Sequence, residues 1–108
     1  NVVERCTIHQ GDNRVTMRGL KGVADRVILG LIPSSMNAWG LAIACLKPSG
    51  GTIHVHMNVH EDEVEEWVEK TTEWFATVSG KNVTALHLED VKQYCPHIRH
   101  VVLDIRID

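Results

Sequence analysis

Seven side chains between residues 64 and 78 recur at the spacing of a single helix face: Val64, Trp67, Val68, Thr71, Trp74, Phe75 and Val78. They form one stripe over four turns, with Glu65, Glu66, Glu69, Lys70 and Glu73 mostly opposite, which predicts an amphipathic helix. Glu61, Asp62 and Glu63 stand at its start, where the helix dipole favours anions, and Gly80 is placed to end it. Helix electrostatics and solvation thus explain this acidic run without a ligand.

The remaining pattern alternates short β-rich runs with a second helix. Thr52 to Asn58 alternates apolar and polar positions and predicts a strand. Val23 to Leu31 is largely apolar and closes on Pro33-Ser34-Ser35, the pattern of a parallel strand covered on both faces. Ser34 or Ser35 can cap a helix carrying Ala38, Trp39, Ala42, Cys45 and Leu46 in helical period, stopped by Pro48-Ser49-Gly50-Gly51. Cys6-Thr7-Ile8-His9 predicts a short strand before the turn residues Gly11-Asp12-Asn13. Val83 to Leu88 and His100 to Ile107 predict two more strands, joined by Glu89 to Arg99. No crossover helix separates them, so they are expected to pair antiparallel. The fold class this order predicts is α/β, with a mostly parallel sheet and an antiparallel C-terminal strand.

Composition narrows the setting. The 108 residues, 44% apolar and 23% charged, suit one soluble domain or part of one. No apolar run approaches the roughly 20 residues that span a bilayer, so no membrane partner is expected. The start shows no signal-like segment and reads as though taken from within a longer chain. Cys6, Cys45 and Cys95 are odd in number and far apart, which fits a reducing cytosol and a cytoplasmic setting rather than a disulfide framework. With a net charge of -3, RNA affinity would have to come from a local patch. Arg14, Arg18, Lys21 and Arg26 are the local basic excess, and such a cluster usually serves solubility.

Candidate chemistry is sparse. His54 and His56 share a strand face, with His60 close behind, but a zinc site needs further ligands and none is nominated. Ser34-Ser35 lacks a nucleophile elbow, and Cys45 falls on an apolar helix stripe, where inert burial is expected. Trp39, Trp67 and Trp74 read most simply as core. Open α/β sheets bind ligands at the carboxyl ends of their strands, which selects Gly11-Asp12-Asn13, Leu31 to Ser35 and His56-Met57-Asn58. Asp12 could accept a hydrogen bond from an exocyclic amine or simply form an Asx turn, and the residues leave both open. No Gly-rich phosphate loop is present, and no residue is nominated as catalytic. The residues alone reach part of an α/β ligand-binding domain, with a non-catalytic protein-interaction domain as the rival.

Three ordered segments go further: Gly11-Asp12-Asn13-Arg14, Gly22 to Ser35 (GVADRVILGLIPSS), and Gly50 to Val59 (GGTIHVHMNV). With the ending Val91 to Asp104 (VKQYCPHIRHVVLD), they resemble the tRNA wybutosine-synthesizing protein 2 branch of a family that also contains tRNA guanine-N1 methyltransferases. The resemblance covers nearly the whole chain. It implies the C-terminal part, residues 1–108, of a Rossmann-like class I methyltransferase domain. That domain would transfer the 3-amino-3-carboxypropyl group of S-adenosylmethionine to C7 of 4-demethylwyosine in phenylalanine tRNA. By the same resemblance Asp12 and Asn13 match the segment at the cofactor's adenosine end. Leu31, Pro33 and Ser34 belong to the loop lining the reacting centre. The methyltransferases carry an Asn-Leu-Pro type loop there. Gly30-Leu31-Ile32-Pro33 departs from it and favours the aminocarboxypropyl transfer. The first strand, its glycine-rich loop and the RNA-binding region would lie upstream of Asn1, leaving a sheet edge open to rearrangement, disorder or a strand-pairing partner chain. The 108-residue chain alone is therefore expected to be inactive. A transferase assay with tRNA and S-adenosylmethionine should give no product, and a measurable rate would refute this.

Overall fold

The computed structural model describes residues 5–108, with the side chains of Asn13 and Arg14 outside the described residues. The chain order is α1 (Asn13–Thr16), β1 (Arg26–Leu29), α2 (Trp39–Cys45), β2 (Gly51–His60), α3 (Val64–Ser79), β3 (Val83–Cys95) and β4 (Ile98–Ile107). Short 3-10 turns at Met17–Gly19, Met36–Ala38 and Glu61–Glu63 lead out of or into these elements. The four strands form one sheet in the order β1-β2-β4-β3. β1 pairs parallel to β2, while β2–β4 and β4–β3 are antiparallel.

The α/β class and the antiparallel C-terminal strands are as expected, but three details differ. Cys6–His9 is not a strand: it carries no regular structure. The parallel part of the described sheet is therefore a single pairing. The stretch Glu89–Arg99 is mostly strand, because β3 runs on to Cys95 and turns back over Pro96-His97. Three register shifts, after Ala85, Asp90 and Gln93, let β3 follow β4 over this length. Such irregularities break the flat template an edge strand would offer.

The core lies on one face of the sheet. In β2 the residues at odd positions, Gly51 to Val59, are all buried, and in β4 the same holds for Val101, Leu103, Ile105 and Ile107. The period-2 geometry of a strand sends these side chains to the same side, where α2 and α3 cover them. Trp39, Ala42 and Leu46 of α2 and the loop after it, with Phe75 of α3, complete this cluster. The opposite face is only half-buried. Ile28 is 68% exposed there, so β1 is covered on one face and not, as its apolar run suggested, on both. An apolar run records a low-polarity environment but cannot say which element supplies it.

α3 ends where expected, on Gly80 in the left-handed region (φ 67°). Its stripe is graded: Thr71 and Phe75 are buried, Val64, Trp67 and Val68 pack partly, and Trp74 and Val78 reach the surface. Gly50 and Gly51 are positions that tolerate no side chain. Gly50 has φ 99°, and a Cβ there would lie 2.2 Å from the Ile107 carbonyl oxygen. A Cβ on Gly51 would lie 2.6 Å from both the Asp25 carbonyl oxygen and a Leu46 methyl. This pair fits β2 between β1 and the end of β4.

Two substitutions probe this packing. Phe75→Ala empties a fully buried site and should cost roughly 3–5 kcal/mol in denaturant unfolding. Gly50→Ala combines a positive φ with a backbone collision and should cost about 2 kcal/mol or more. An unchanged denaturation midpoint for either variant would contradict the packing described.

Candidate functional site

The carboxyl end of β1 opens on a cavity of about 400 Å³. Asp12 stands on one side of it, with Met17 beyond; Leu29, Gly30 and Leu31 form another wall, and Ser35, Asn37 and Ala38 the far side. Two of the residues singled out by sequence, Asp12 and Leu31, are therefore brought together although 19 positions apart. Asp12 also opens α1: its carbonyl accepts from the Val15 and Thr16 N–H groups at 2.9 and 3.0 Å. These are backbone bonds, not the side-chain Asx bond that one sequence reading held, and Asp12 belongs at the same time to the cavity wall. The candidate side chain of Asn13 lies outside the described residues.

Pro33 and Ser34 do not line this cavity. Where β1 ends, they take its place beside β2. The Pro33 carbonyl accepts the Asn58 N–H at 3.0 Å, and Ser34 makes a single antiparallel bridge to Met57. The Ile32-Pro33 peptide is cis. Ser34 Oγ accepts the Met36 N–H at 3.2 Å, as a turn-forming serine does. The next residue, Ser35, is buried, and its Oγ accepts the Trp39 Nε1–H at 3.0 Å. Sequence reasoning did not choose Ser35 over Ser34; both suit a helix start, and only the packing of Trp39 separates them.

Along the same segment lies a second cavity, of about 470 Å³, on the helix-covered side of β2. Its walls include all three tryptophans, Trp39, Trp67 and Trp74, with Met36 and Met57. Trp39 is core, as expected, and meets Trp74 edge-on with ring centroids 5.3 Å apart. Trp67 is half-buried and Trp74 is 37% exposed, so the other two are cavity walls more than core. Helical periodicity places a tryptophan on the inner stripe without saying whether the stripe's edge is filled.

The open sheet face carries the histidines. Arg26 Nη1 donates to His54 Nε2 at 2.9 Å, and His54 Nδ1 lies 2.5 Å from Asp104 Oδ1. Since Arg26 has no acceptor, His54 accepts on Nε2 and donates from Nδ1 to the carboxylate. His56 Nδ1 lies 3.0 Å from His100 Nε2. These rings satisfy one another, and no group of three or more His, Cys, Asp or Glu side chains among the described residues could hold a metal ion. Arg26, one of the basic cluster, is thereby engaged on the sheet face. Cys45 is buried, which pushes its thiol pKa up, whereas Cys6 and Cys95 are exposed. No helix among the described residues is long and apolar enough to cross a membrane.

At the turn between β3 and β4, His97 contacts Glu61 Oε1 at 2.8 Å while its carbonyl accepts the Glu61 N–H at 2.8 Å. The Glu61 carboxyl is held below its usual range by that hydrogen bond and the His97 charge, and His97 is raised by the same contact. His56 behaves oppositely. Burial, then the neighbouring His100 and His54, lower its pKa, with Asp104 opposing. A histidine lowered on folding takes up protons more readily when unfolded. Stability should therefore hold above about pH 6.5 and fall on acidification from there through the folded-state value. The urea midpoint should decrease between about pH 7 and about pH 5, and His56→Gln should flatten that decrease. An acid limb identical in wild type and variant would remove His56 as its source.

No family model matches the chain. Individual proteins do. The "tRNA wybutosine-synthesizing protein 2/3/4" of Arabidopsis thaliana is 50% identical over 98% of this chain, which spans 11% of that protein. The "tRNA wybutosine-synthesizing protein 2 homolog" of Danio rerio is 39% identical over 96% of the chain, which spans 34% of it. Among solved structures, M. jannaschii TYW2 in complex with AdoMet matches with a TM-score of 0.74 at 30% identity, covering 86% of this chain and 43% of that one. Trm5b from Pyrococcus abyssi, at 24% identity and a TM-score of 0.68, shares the fold. The chain thus corresponds to a minor part of each relative's length.

Proposed function

We propose, from homology along nearly the whole chain to tRNA wybutosine-synthesizing protein 2, that residues 1–108 form the C-terminal part of an S-adenosylmethionine-dependent tRNA-modifying domain. The whole enzyme would move the 3-amino-3-carboxypropyl group of S-adenosylmethionine onto the modified guanine next to the anticodon of phenylalanine tRNA, in a cytoplasmic setting. The observation carrying this reading is the cavity at the carboxyl end of β1, which joins Asp12 and Leu31 in a chain whose sequence matches that of a protein crystallised with AdoMet.

The residues present fit the adenosine end of S-adenosylmethionine. A cavity of about 400 Å³ with Val27, Leu29 and Leu31 on its walls and a single carboxylate suits a flat ring bearing an exocyclic amine. The bound sulfonium supplies an activated carbon. Asp12 would accept a hydrogen bond from the amine, and Leu31 would pack on the ring. Pro33 and Ser34, pinned to β2 through Asn58 and Met57, would fix the loop that borders the reacting centre. The chain contributes position rather than a nucleophile, because the group transferred depends on which sulfonium carbon faces the acceptor. The outer edge of β1, unpaired among the described strands, is where further strands would add, from a longer protein or a partner chain.

The test is the mass of the tRNA product formed by the full-length enzyme. An aminocarboxypropyl adduct supports the reading; a methyl adduct would assign the guanine-N1 methyltransferase activity instead. Asp12→Ala should weaken S-adenosylmethionine binding about 10-fold by calorimetry, the loss expected for one charge-assisted hydrogen bond. Wild-type affinity in that variant would remove Asp12 from the site.

A further inference from the structure

The segment Ser35–Trp39 runs between two cavities. Ser35, Asn37 and Ala38 belong to the wall of the one proposed for the cofactor, whereas Met36 and Trp39 line the tryptophan-walled one. A partition with open space on both sides is not fixed by close packing, because a void supplies no opposing atoms. Its position has to come from hydrogen bonds and from an anchor in the core.

The Met36 N–H donates to Ser34 Oγ at 3.2 Å and the Ala38 N–H to the Ser35 carbonyl at 2.9 Å. Both bonds close short turns and leave open where the partition stands against the core. The buried contact is the one from Trp39 Nε1–H to Ser35 Oγ at 3.0 Å, between residues that are each 3% exposed. The Trp39 ring in turn packs on Trp74 and Phe75 of α3, with centroids 5.3 and 5.1 Å away. One hydroxyl thus joins the cofactor wall to the aromatic cluster beneath the sheet. Trp39 also has room to move, because it borders the cavity of about 470 Å³. A buried indole N–H left without an acceptor is costly, and tilting the ring into that open space relieves the cost. Such a tilt would carry along the preceding residues Asn37 and Ala38, which belong to the cofactor wall.

We propose that Ser35 is a positioning residue for S-adenosylmethionine, fixing the Asn37–Ala38 wall of the cofactor cavity through its hydrogen bond to the Trp39 indole. The effect passes through Trp39, whose N–H engages the hydroxyl oxygen. This rests on the S-adenosylmethionine reading above and adds to it the residue that holds one wall of the site. The competing role is purely structural. A bond that only stabilised the core would change how much protein is folded, whereas a positioning bond changes the affinity of the folded protein.

The test uses the full-length enzyme with Ser35→Ala, Trp39→Phe or both, titrated with S-adenosylmethionine by calorimetry below the unfolding transition of every variant. Ser35→Ala should weaken binding on the order of 10-fold at unchanged stoichiometry, since lost folding would instead reduce the number of sites. Trp39→Phe keeps a ring and removes the N–H, so it should also weaken binding, and the double variant should be no weaker than the weaker single one. In steady state Ser35→Ala should raise KM for S-adenosylmethionine with kcat unchanged, as expected when binding is lost equally from ground and transition states. Ile107→Val, buried at the opposite end of β2 and β4, should lower the melting temperature and leave the affinity as it was. Wild-type affinity in Ser35→Ala, losses that multiply in the double variant, a lower kcat at unchanged KM, or an equal loss in Ile107→Val would each overturn the assignment. Its failure is distinct from that of the cofactor site. Wild-type affinity in Asp12→Ala removes the cavity itself, whereas weakened binding there with wild-type affinity in Ser35→Ala keeps the cavity and removes only this role of Ser35.

Discussion

The pairing of β2 with β4 is the constraint on which the molecule depends. Ten residues of each strand lie in continuous register, from Gly51 opposite Ile107 to His60 opposite Ile98. Because side chains alternate, this one register decides both faces at once. It puts Ile53, Val55, Met57 and Val59 under the helices with Val101, Leu103, Ile105 and Ile107, and it lifts His54, His56, Asp104 and His100 to the other side. A slip by one residue would bury the histidines and expose the core, so the register is strongly specified. Full burial of each large aliphatic side chain contributes roughly 1.5–3 kcal/mol relative to exposure, which far exceeds what the histidine contacts can supply. Packing sets the register, and the polar ladder accommodates it.

The site follows from the same pairing. β2 continues past the end of β1, and the edge it presents from Met57 onward is taken by Ser34 and Pro33. The loop that leaves β1 is thus held by backbone contacts with β2. Its next residues enter the core through Trp39, whose indole N–H is satisfied by Ser35 inside the protein. A buried indole N–H without a partner would be costly, so the Ser35 hydroxyl stabilises the one conformation that separates the two cavities.

How much of this could be read in the sequence varied with the kind of signal. β2, α3 and its Gly80 terminus were legible because strict alternation, a four-turn stripe and a left-handed glycine are local properties. Cys6–His9 has the composition of a strand and forms none, since a strand exists only where a neighbour pairs with it. β3 ran beyond its apolar stretch because β4, with Arg99 holding Asp90 at 2.8 Å, supplies the pairing that Glu89–Cys95 does not advertise. The one-sided cover of β1 was equally hidden, because apolar character does not identify the covering element. Among the candidate site residues, Asp12 and Leu31 were nominated from strand-end position and resemblance, and the structure brings both to one cavity although no strand precedes Asp12. Ser35 and the tryptophan-walled cavity required the packing, since each is defined by what surrounds it in space.

The two faces of the sheet also differ in how they can respond. On the helix side, the strands contribute only close-packed aliphatic groups. On the open side, His56 and His100 sit 3.0 Å apart and cannot both carry charge without repulsion, while His54 is held between Arg26 and Asp104. Protonation of His56 is opposed by its burial on this polar surface, directly behind the residues that seat the helices. On β2 His56 is followed at once by Met57 and Asn58, whose backbones hold the Ser34–Pro33 loop, so the residue whose protonation burial opposes lies next to the strand segment that fixes this loop.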